Sequence, residues 1–196
     1  MVEGKRRYKP DVRKAQIIEV TKRLILEKGL AWATVTRITK SLNISKAALY
    51  YHFKNRREIL LAILKEVLEG IPVIGEIDDV LAFIRRCSIS FFEGTLKDPR
   101  PARLFFELLC APPDENLRDD MHRHLLGLQG MIEATLRKGI AQGHFREDTD
   151  TKGVSWEFMS LLMTTFLGSM TVTSDFISMQ QALNAVNRIL DSIRKH

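Results

Sequence analysis

Cysteine is scarce in this chain: Cys87 and Cys110 are the two among 196 residues, far apart and each in apolar surroundings. That excludes a disulfide framework and suits a reducing compartment, with both thiols expected as small core hydrophobes. The N-terminus lacks an apolar signal core. Phe158 to Ser174 is free of charge but interrupted by Ser and Thr, and it falls short of the ~20 apolar residues that a helical membrane span requires. Also missing are a phosphate-cradling glycine loop, a nucleophile elbow and a histidine pair four residues apart. His122 and His124 flank Arg123, and on a helix two residues so spaced point roughly 200° apart, which is no basis for a metal site. The absences therefore lead to a soluble cytoplasmic protein for which no catalytic residue, cofactor or metal is expected.

What is present is an uneven charge. Residues 1 to 57 hold 15 Lys/Arg against 4 Asp/Glu, a net of +11, and residues 58 to 196 hold 15 against 20, a net of −5. A basic segment alone is often a solvated face or tail. Here it coincides with a patterned stretch, and the pair points to a polyanionic partner.

The patterned stretch is Ile44 to Lys54. Taken as a helix, it puts Leu49 and Phe53 on one face, four residues apart, while Ala47, Tyr50, Tyr51 and Lys54 turn the other way. Ser45 is suited to cap the first turn, and a capped helix start also offers amides to a phosphate. Just upstream, Thr34 caps a short amphipathic helix with apolar positions at Val35, Ile38 and Leu42. Asn43 falls where that helix must stop, and asparagine tolerates the left-handed backbone better than most residues. The two helices and their tight turn make a helix-turn-helix.

Gly29, Thr34-Val35, Ile38, Ile44-Ser45-Lys46, Leu49-Tyr50-Tyr51-His52-Phe53 and Lys54-Asn55-Arg56 together resemble the DNA-binding segment of the tetracycline-repressor (TetR) family. The resemblance runs from about Ile17 to Leu64; elsewhere only the helical layout is similar. Thr39 stands where that family commonly has alanine and Asn43 where it commonly has glycine, so the Thr39 hydroxyl must find an acceptor. The resemblance implies a dimeric transcriptional regulator, most often a repressor, on a near-palindromic operator. Lys46 suits guanine edges, Ala47 and Ala48 thymine methyls, and Tyr51 bases or sugars. Thr34, Ser45, Tyr50, His52 and Lys54 suit phosphate oxygens, and Thr36 and Arg37 would help them fix register.

The remaining pattern is all-α, about nine helices in all. Lys5-Arg6-Arg7-Tyr8-Lys9 forms a basic arm, either lying on DNA or acting as a solubilising tail. Asp11 is placed to cap the first helix, which ends at Gly29, and Asn55-Arg56-Arg57-Glu58 reads as a variant capping box opening a fourth helix. The punctuated stretch Gly70-Ile71-Pro72-Val73-Ile74-Gly75 marks a joint. The organisation expected is an arm and helix-turn-helix domain at residues 1–55, a connecting helix and joint at 56–75, and a helical effector-binding and dimerisation domain at 76–196.

Within that last part, helices are expected over about Glu76 to Leu96, from Asp98-Pro99 to Ala111, Glu115 to Gln142, Thr151 to Val172, and from the capping box Ser178-Met179-Gln180-Gln181 onward. The helix from Thr151 is apolar nearly all round and must be buried on two faces. Met179, Leu183, Val186, Leu190 and Ile193 give the last helix a packing seam. The final two helices either form a homodimer interface or complete a monomer core. Phe83, Cys87, Phe91, Leu104, Phe105, Leu108, Leu128, Met131, Trp156, Met159, Met163 and Phe166 either line a cavity for a small hydrophobic or amphipathic effector or fill a core. The competing function is a helix-turn-helix DNA binder of architectural or cell-cycle role with no effector.

Overall fold

A computed structural model of the protein describes residues 10–69, 78–112, 117–171 and 177–195. Among them are nine α-helices and no strand: α1 Pro10–Lys28, α2 Val35–Leu42, α3 Lys46–His52, α4 Arg56–Glu69, α5 Val80–Lys97, α6 Arg100–Leu109, α7 Arg118–Ala141, α8 Thr151–Ser169 and α9 Met179–Ile193. A single 3₁₀ turn, Leu30–Trp32, which the sequence did not announce, links α1 to α2. The expected all-α architecture is what the described residues adopt. The basic arm at residues 5–9 and the joint at residues 70–75 lie outside the described residues.

The described residues fall into two compact units. The first comprises those within Met1–Glu66 and Leu104–Arg118, the second those within Val67–Arg103 and Asp119–His196. Helices α4 and α6 each contribute residues to both. The first unit packs α1 against α2 and α3 around Ile17, Ile25, Ile38, Leu49, Ile59 and Ile63, all fully buried. Thr21 is buried among them and donates its hydroxyl to the Ile17 carbonyl at 2.7 Å, so the polar atom enters the core satisfied.

The second unit is held by α5, α8 and α9, and α7 shares a cavity lining with α5 and α8. The Phe91 and Phe166 rings stack with centroids 5.3 Å apart, and Phe92 and Phe145 are almost wholly buried. The turn after α7 is tied to the chain end: the Arg146 amide donates to the Ile193 carbonyl and the Lys195 amide to the His144 carbonyl. At the same end of α7, Gln142 brackets the start of α5, donating to the Asp78 carbonyl and accepting from the Val80 amide.

Several local expectations change. Helix α1 begins at Pro10, so Asp11 lies in its first turn and does not cap it. Helix α5 begins at Val80 because Asp79 accepts from the Leu81 and Ala82 amides; the expected start, Glu76, lies outside the described residues. Helix α7 begins at Arg118, the expected start Glu115 likewise lying outside, and α8 ends at Ser169, short of Val172, which is also outside. Within the single chain α8 is buried on one side only, since Trp156 is 53% and Leu167 50% exposed. Neither cysteine is a core residue: Cys87 is half-buried and Cys110 exposed.

One packing contact permits no side chain at all. A Cβ at Gly139 would overlap the Cδ2 and Cε2 atoms of the buried Phe145 ring and press on Val80. Gly139→Ala is expected to cost about 1–3 kcal/mol through overpacking, read as a lower urea midpoint with Phe145 displaced. An unchanged midpoint would mean that the ring slides aside freely.

Candidate nucleic-acid interface and ligand cavity

The α2–α3 segment is built from local hydrogen bonds that its residue types dictate. Thr34 accepts from the Arg37 amide at the start of α2, and Ser45 accepts from the Ala48 amide at the start of α3. Between them Asn43 sits at φ 50°, ψ 49°, the left-handed conformation, with its amide on the Lys40 carbonyl. The Ile44 amide then returns to the Thr39 carbonyl at 3.0 Å. Thr39 is buried and donates its hydroxyl to the Thr36 carbonyl at 3.1 Å, which answers the question its position raised.

Leu49 is fully buried and Phe53 nearly so, anchoring α3 from beneath. Phe53 itself follows the helix in an extended conformation, φ −139°, so the helical face it was expected to share ends at His52. On the opposite side Tyr51 is 79% and Tyr50 47% exposed. Lys46, Ala47, Thr36, Ser45 and Lys54 are exposed as well, whereas Thr34, Arg37, Ala48 and His52 are half-buried. The eleven residues expected at a DNA interface thus occupy one continuous stretch, with hydrophobic anchors facing away from its open side chains.

The electrostatics add α1 to this surface. Partial burial pushes the His52 imidazole below its ordinary value of 6.5, and the positive charges of Arg13 and Lys14 push it further. The Tyr51 ring meets the His52 ring edge-on at 5.0 Å. Arg37 lies over the exposed Trp32, its guanidinium carbon 3.2 Å from the ring centroid. Arg13, Lys14 and Trp32 were not expected here. The first two were visible only as part of the basic segment, and nothing in the order of residues announced the Trp32 stack.

The turn feeding α2 is gripped from two sides. Gly29 has φ 84°, a value that favours glycine. Arg56 donates to the Ala33 carbonyl at 2.9 Å and the Leu30 carbonyl at 2.6 Å. From α6, the Glu107 carboxylate accepts from the Leu30 amide at 2.9 Å. The start of α4 also departs from an ordinary capping box. Asn55 accepts from the Glu58 amide as expected, but the Glu58 carboxylate accepts from the Lys54 amide, one residue earlier than the box requires.

The second unit contains a cavity of about 100 Å³ between α5, α7 and α8, lined by Phe83, Ile84, Cys87, Ser88, Phe91, Leu128, Met131, Ile132, Thr135, Phe158 and Leu162. Of the expected lining set it brings together Phe83, Cys87, Phe91, Leu128 and Met131. The others lie elsewhere. Leu104, Phe105 and Leu108 are buried in the first unit, because α6 turns its later residues to that core. Met159 and Phe166 are packed core, Met163 is half-buried away from the lining, and Trp156 faces outward. Among the described residues no group of His, Cys, Asp and Glu could hold a metal ion, and no helix is long and apolar enough to cross a membrane.

Comparison with known proteins agrees with this layout. The family model for bacterial regulatory proteins of the tetR family matches residues 17–63, and that for the tetracyclin repressor-like C-terminal domain matches residues 111–186. The fatty acid metabolism regulator protein of Bacillus subtilis is 24% identical over 70% of this chain and 73% of its own length. The regulator TtgR of Pseudomonas putida is 27% identical over 71% of each chain. The biofilm operon negative transcriptional regulator IcaR of Staphylococcus epidermidis is 27% identical over 76% of this chain and 78% of its own. Among solved structures, a TetR transcription regulator from Haloarcula marismortui superposes with a TM-score of 0.77 at 19% identity, covering 94% of this chain and 100% of the other. A SmeT–triclosan complex gives 0.77 at 19% identity over 94% and 92%.

The Glu107 contact is directly testable. Glu107→Ala leaves the part-buried Leu30 amide without its acceptor and is expected to cost about 1–3 kcal/mol of first-unit stability, with faster hydrogen exchange at that amide. Glu107→Gln keeps an acceptor and should fall between the two. Equal exchange in all three proteins would show that the carboxylate does not hold the turn.

Proposed function

The chain belongs to the tetR family of bacterial regulatory proteins, transcription regulators, and on that premise we propose that it represses transcription by binding a near-palindromic operator as a homodimer. The observation that carries this reading is the exposed surface of α3, with Ala47 and Tyr51 opposite the fully buried Leu49 and Lys46 and Tyr50 exposed at its flanks, inside a segment of net charge +11. Such a helix presents donors, small apolar groups and aromatic edges to a major groove while its anchors fix the depth of insertion.

The roles divide by reach. Lys46 donates to guanine edges, Ala47 and Ala48 meet thymine methyls, and Tyr51 touches bases or sugars. Thr34, Thr36, Arg37, Ser45, Tyr50, His52 and Lys54 hold phosphates and set register. Residues 1–55 are the arm and reading domain, 56–75 the connection, and 76–196 the effector and dimer domain. The dimer forms through α8 and α9, whose exposed Trp156 and Leu167 and half-buried Leu183 offer apolar surface to a second copy. Two reading helices then lie about one helical turn apart, ~34 Å. A small hydrophobic or amphipathic effector in the α5–α7–α8 cavity releases the DNA. The cavity favours this reading over an architectural DNA binder, which has no use for unfilled apolar space. The protein works in the cytoplasm, where operator and effector meet.

Selection of binding sites from random duplex DNA tests the operator. Lys46→Ala is expected to relax sequence preference. Lys54→Ala should instead weaken all duplexes alike and reduce the slope of log affinity against log salt by ~0.9, one phosphate's worth. Equal losses of Lys46→Ala on selected and random DNA would remove Lys46 from the base-reading set.

A pH dependence follows from His52. Its imidazole titrates below 6.5 in the free protein, and a phosphate beside it raises that value. Binding then takes up a proton, so affinity for DNA should increase as pH falls from the raised DNA-bound value toward the lowered free one, and His52→Gln should abolish the increase. A wild-type profile flat from pH 7.5 to 5.5 would place His52 away from phosphate.

A further inference from the structure

We infer that the α5–α7–α8 cavity takes an uncharged ligand of about one substituted ring, held by aromatic contact and at most one hydroxyl or carbonyl, and that it discriminates against ions of the same shape. The inference rests on the effector reading above and narrows it to a chemical class. Phe83, Phe91, Leu128 and Phe158 are buried and supply the apolar wall. The polar groups in the lining are the Ser88 and Thr135 hydroxyls and the Cys87 thiol, and no carboxylate, ammonium or guanidinium is among its residues.

The charged residues adjacent in sequence to the lining, Arg85, Arg86, Glu133 and Glu157, are not part of it, and Arg85, Arg86 and Glu157 are exposed. Glu133, beside Ile132, pairs with Arg137 and accepts from the Thr151 hydroxyl. Arg86 is exposed and lies over the Phe83 ring at 5.8 Å rather than in the lining. An ion entering the cavity would therefore shed its hydration with no opposite charge to meet it, and a neutral ring sheds far less. Size sets the other limit. About 100 Å³ is below the ~150 Å³ of an apolar protein cavity that holds benzene. A single substituted ring therefore enters only with outward displacement at Met131, which is 44% exposed, and a fused polycyclic system would demand correspondingly more.

Three probes of nearly one shape test this on the full-length protein at pH 7: p-cresol, neutral; p-toluate, an anion; and 4-methylbenzylammonium, a cation. Titration calorimetry is expected to show p-cresol binding at least ~100-fold more tightly than either ion, and Ser88→Phe, which fills the cavity, should abolish the heat. Thr135→Leu serves as a second blocking variant should Ser88→Phe melt early. Tightest binding by p-toluate would overturn the neutral class in favour of an anion reaching Arg86, and would leave the effector reading standing. No binding of any probe at millimolar concentration, or p-cresol binding untouched by both variants, would overturn the inference. Cavity binding of p-cresol with the selected operator still retained would support the ligand class and count against the effector reading.

Discussion

Burial of Leu49 is the constraint on which the reading surface depends. A helix of seven residues does not persist in water by itself, because nucleation costs more than two turns of hydrogen bonds return. Helix α3 exists because Leu49 inserts fully into the core made by α1 and α2, and because Phe53 pins the chain as it leaves. Every open side chain on α3 is placed by that one insertion. This also explains why the surrounding hydrogen bonds are short-range caps: Thr34, Asn43 and Ser45 fix where the helices begin and end, and the leucine fixes which way they face.

The basic charge of the first 57 residues is not all directed outward. Arg56 donates to two carbonyls of the α1–α2 turn, and Lys22 pairs with Glu19 and Glu66. Those cations stabilise the unit, while Lys46 and Lys54 stand exposed on the reading side. Net charge is thus not the same as available charge: among the described residues of this segment folding leaves Lys14, Arg23, Lys28, Lys40, Lys46 and Lys54 exposed and draws the others partly in. Arg37 is intermediate: it stacks on Trp32, which narrows its rotamer freedom while leaving donors at the edge of the guanidinium.

How much could be read beforehand follows from the range of each interaction. Asn43 in the left-handed conformation, the Thr34 and Ser45 caps and the Ser178–Gln181 capping box depend on residues at most four apart, and all were legible. The Glu107 contact spans 77 positions and was invisible, as was the Trp32–Arg37 stack, which needs the unforeseen 3₁₀ turn. The lining set shows the same limit. Hydrophobic periodicity identified Phe83, Phe91 and Leu128 as inward-facing, and equally Leu104, Phe105 and Leu108, but it carries no information about which core an inward face joins. Helix α6 contributes its first residues to one unit and its later ones to the other, and Leu104, Phe105 and Leu108 belong to the first unit and not to the cavity lining. Cys110 misled for a related reason. It follows the last turn of α6, where apolar neighbours in sequence no longer imply a shared buried face.

The cavity has an energetic meaning of its own. Empty apolar space in a core costs roughly 24 cal/mol per Å³, so 100 Å³ represents up to about 2.4 kcal/mol, less to the extent that the cleft opens to solvent at Met131. Against a typical stability of about 5–15 kcal/mol that is a large concession. A ligand present at 100 times its dissociation constant stabilises the state it binds by about 2.7 kcal/mol, the same order as the cavity's cost. Any conformation of the chain in which the space is larger or better shaped gains population by the difference in affinity alone. A filled core has no such lever, and a much larger cavity would threaten the fold, so apolar space of about 100 Å³ is a defect the chain can carry.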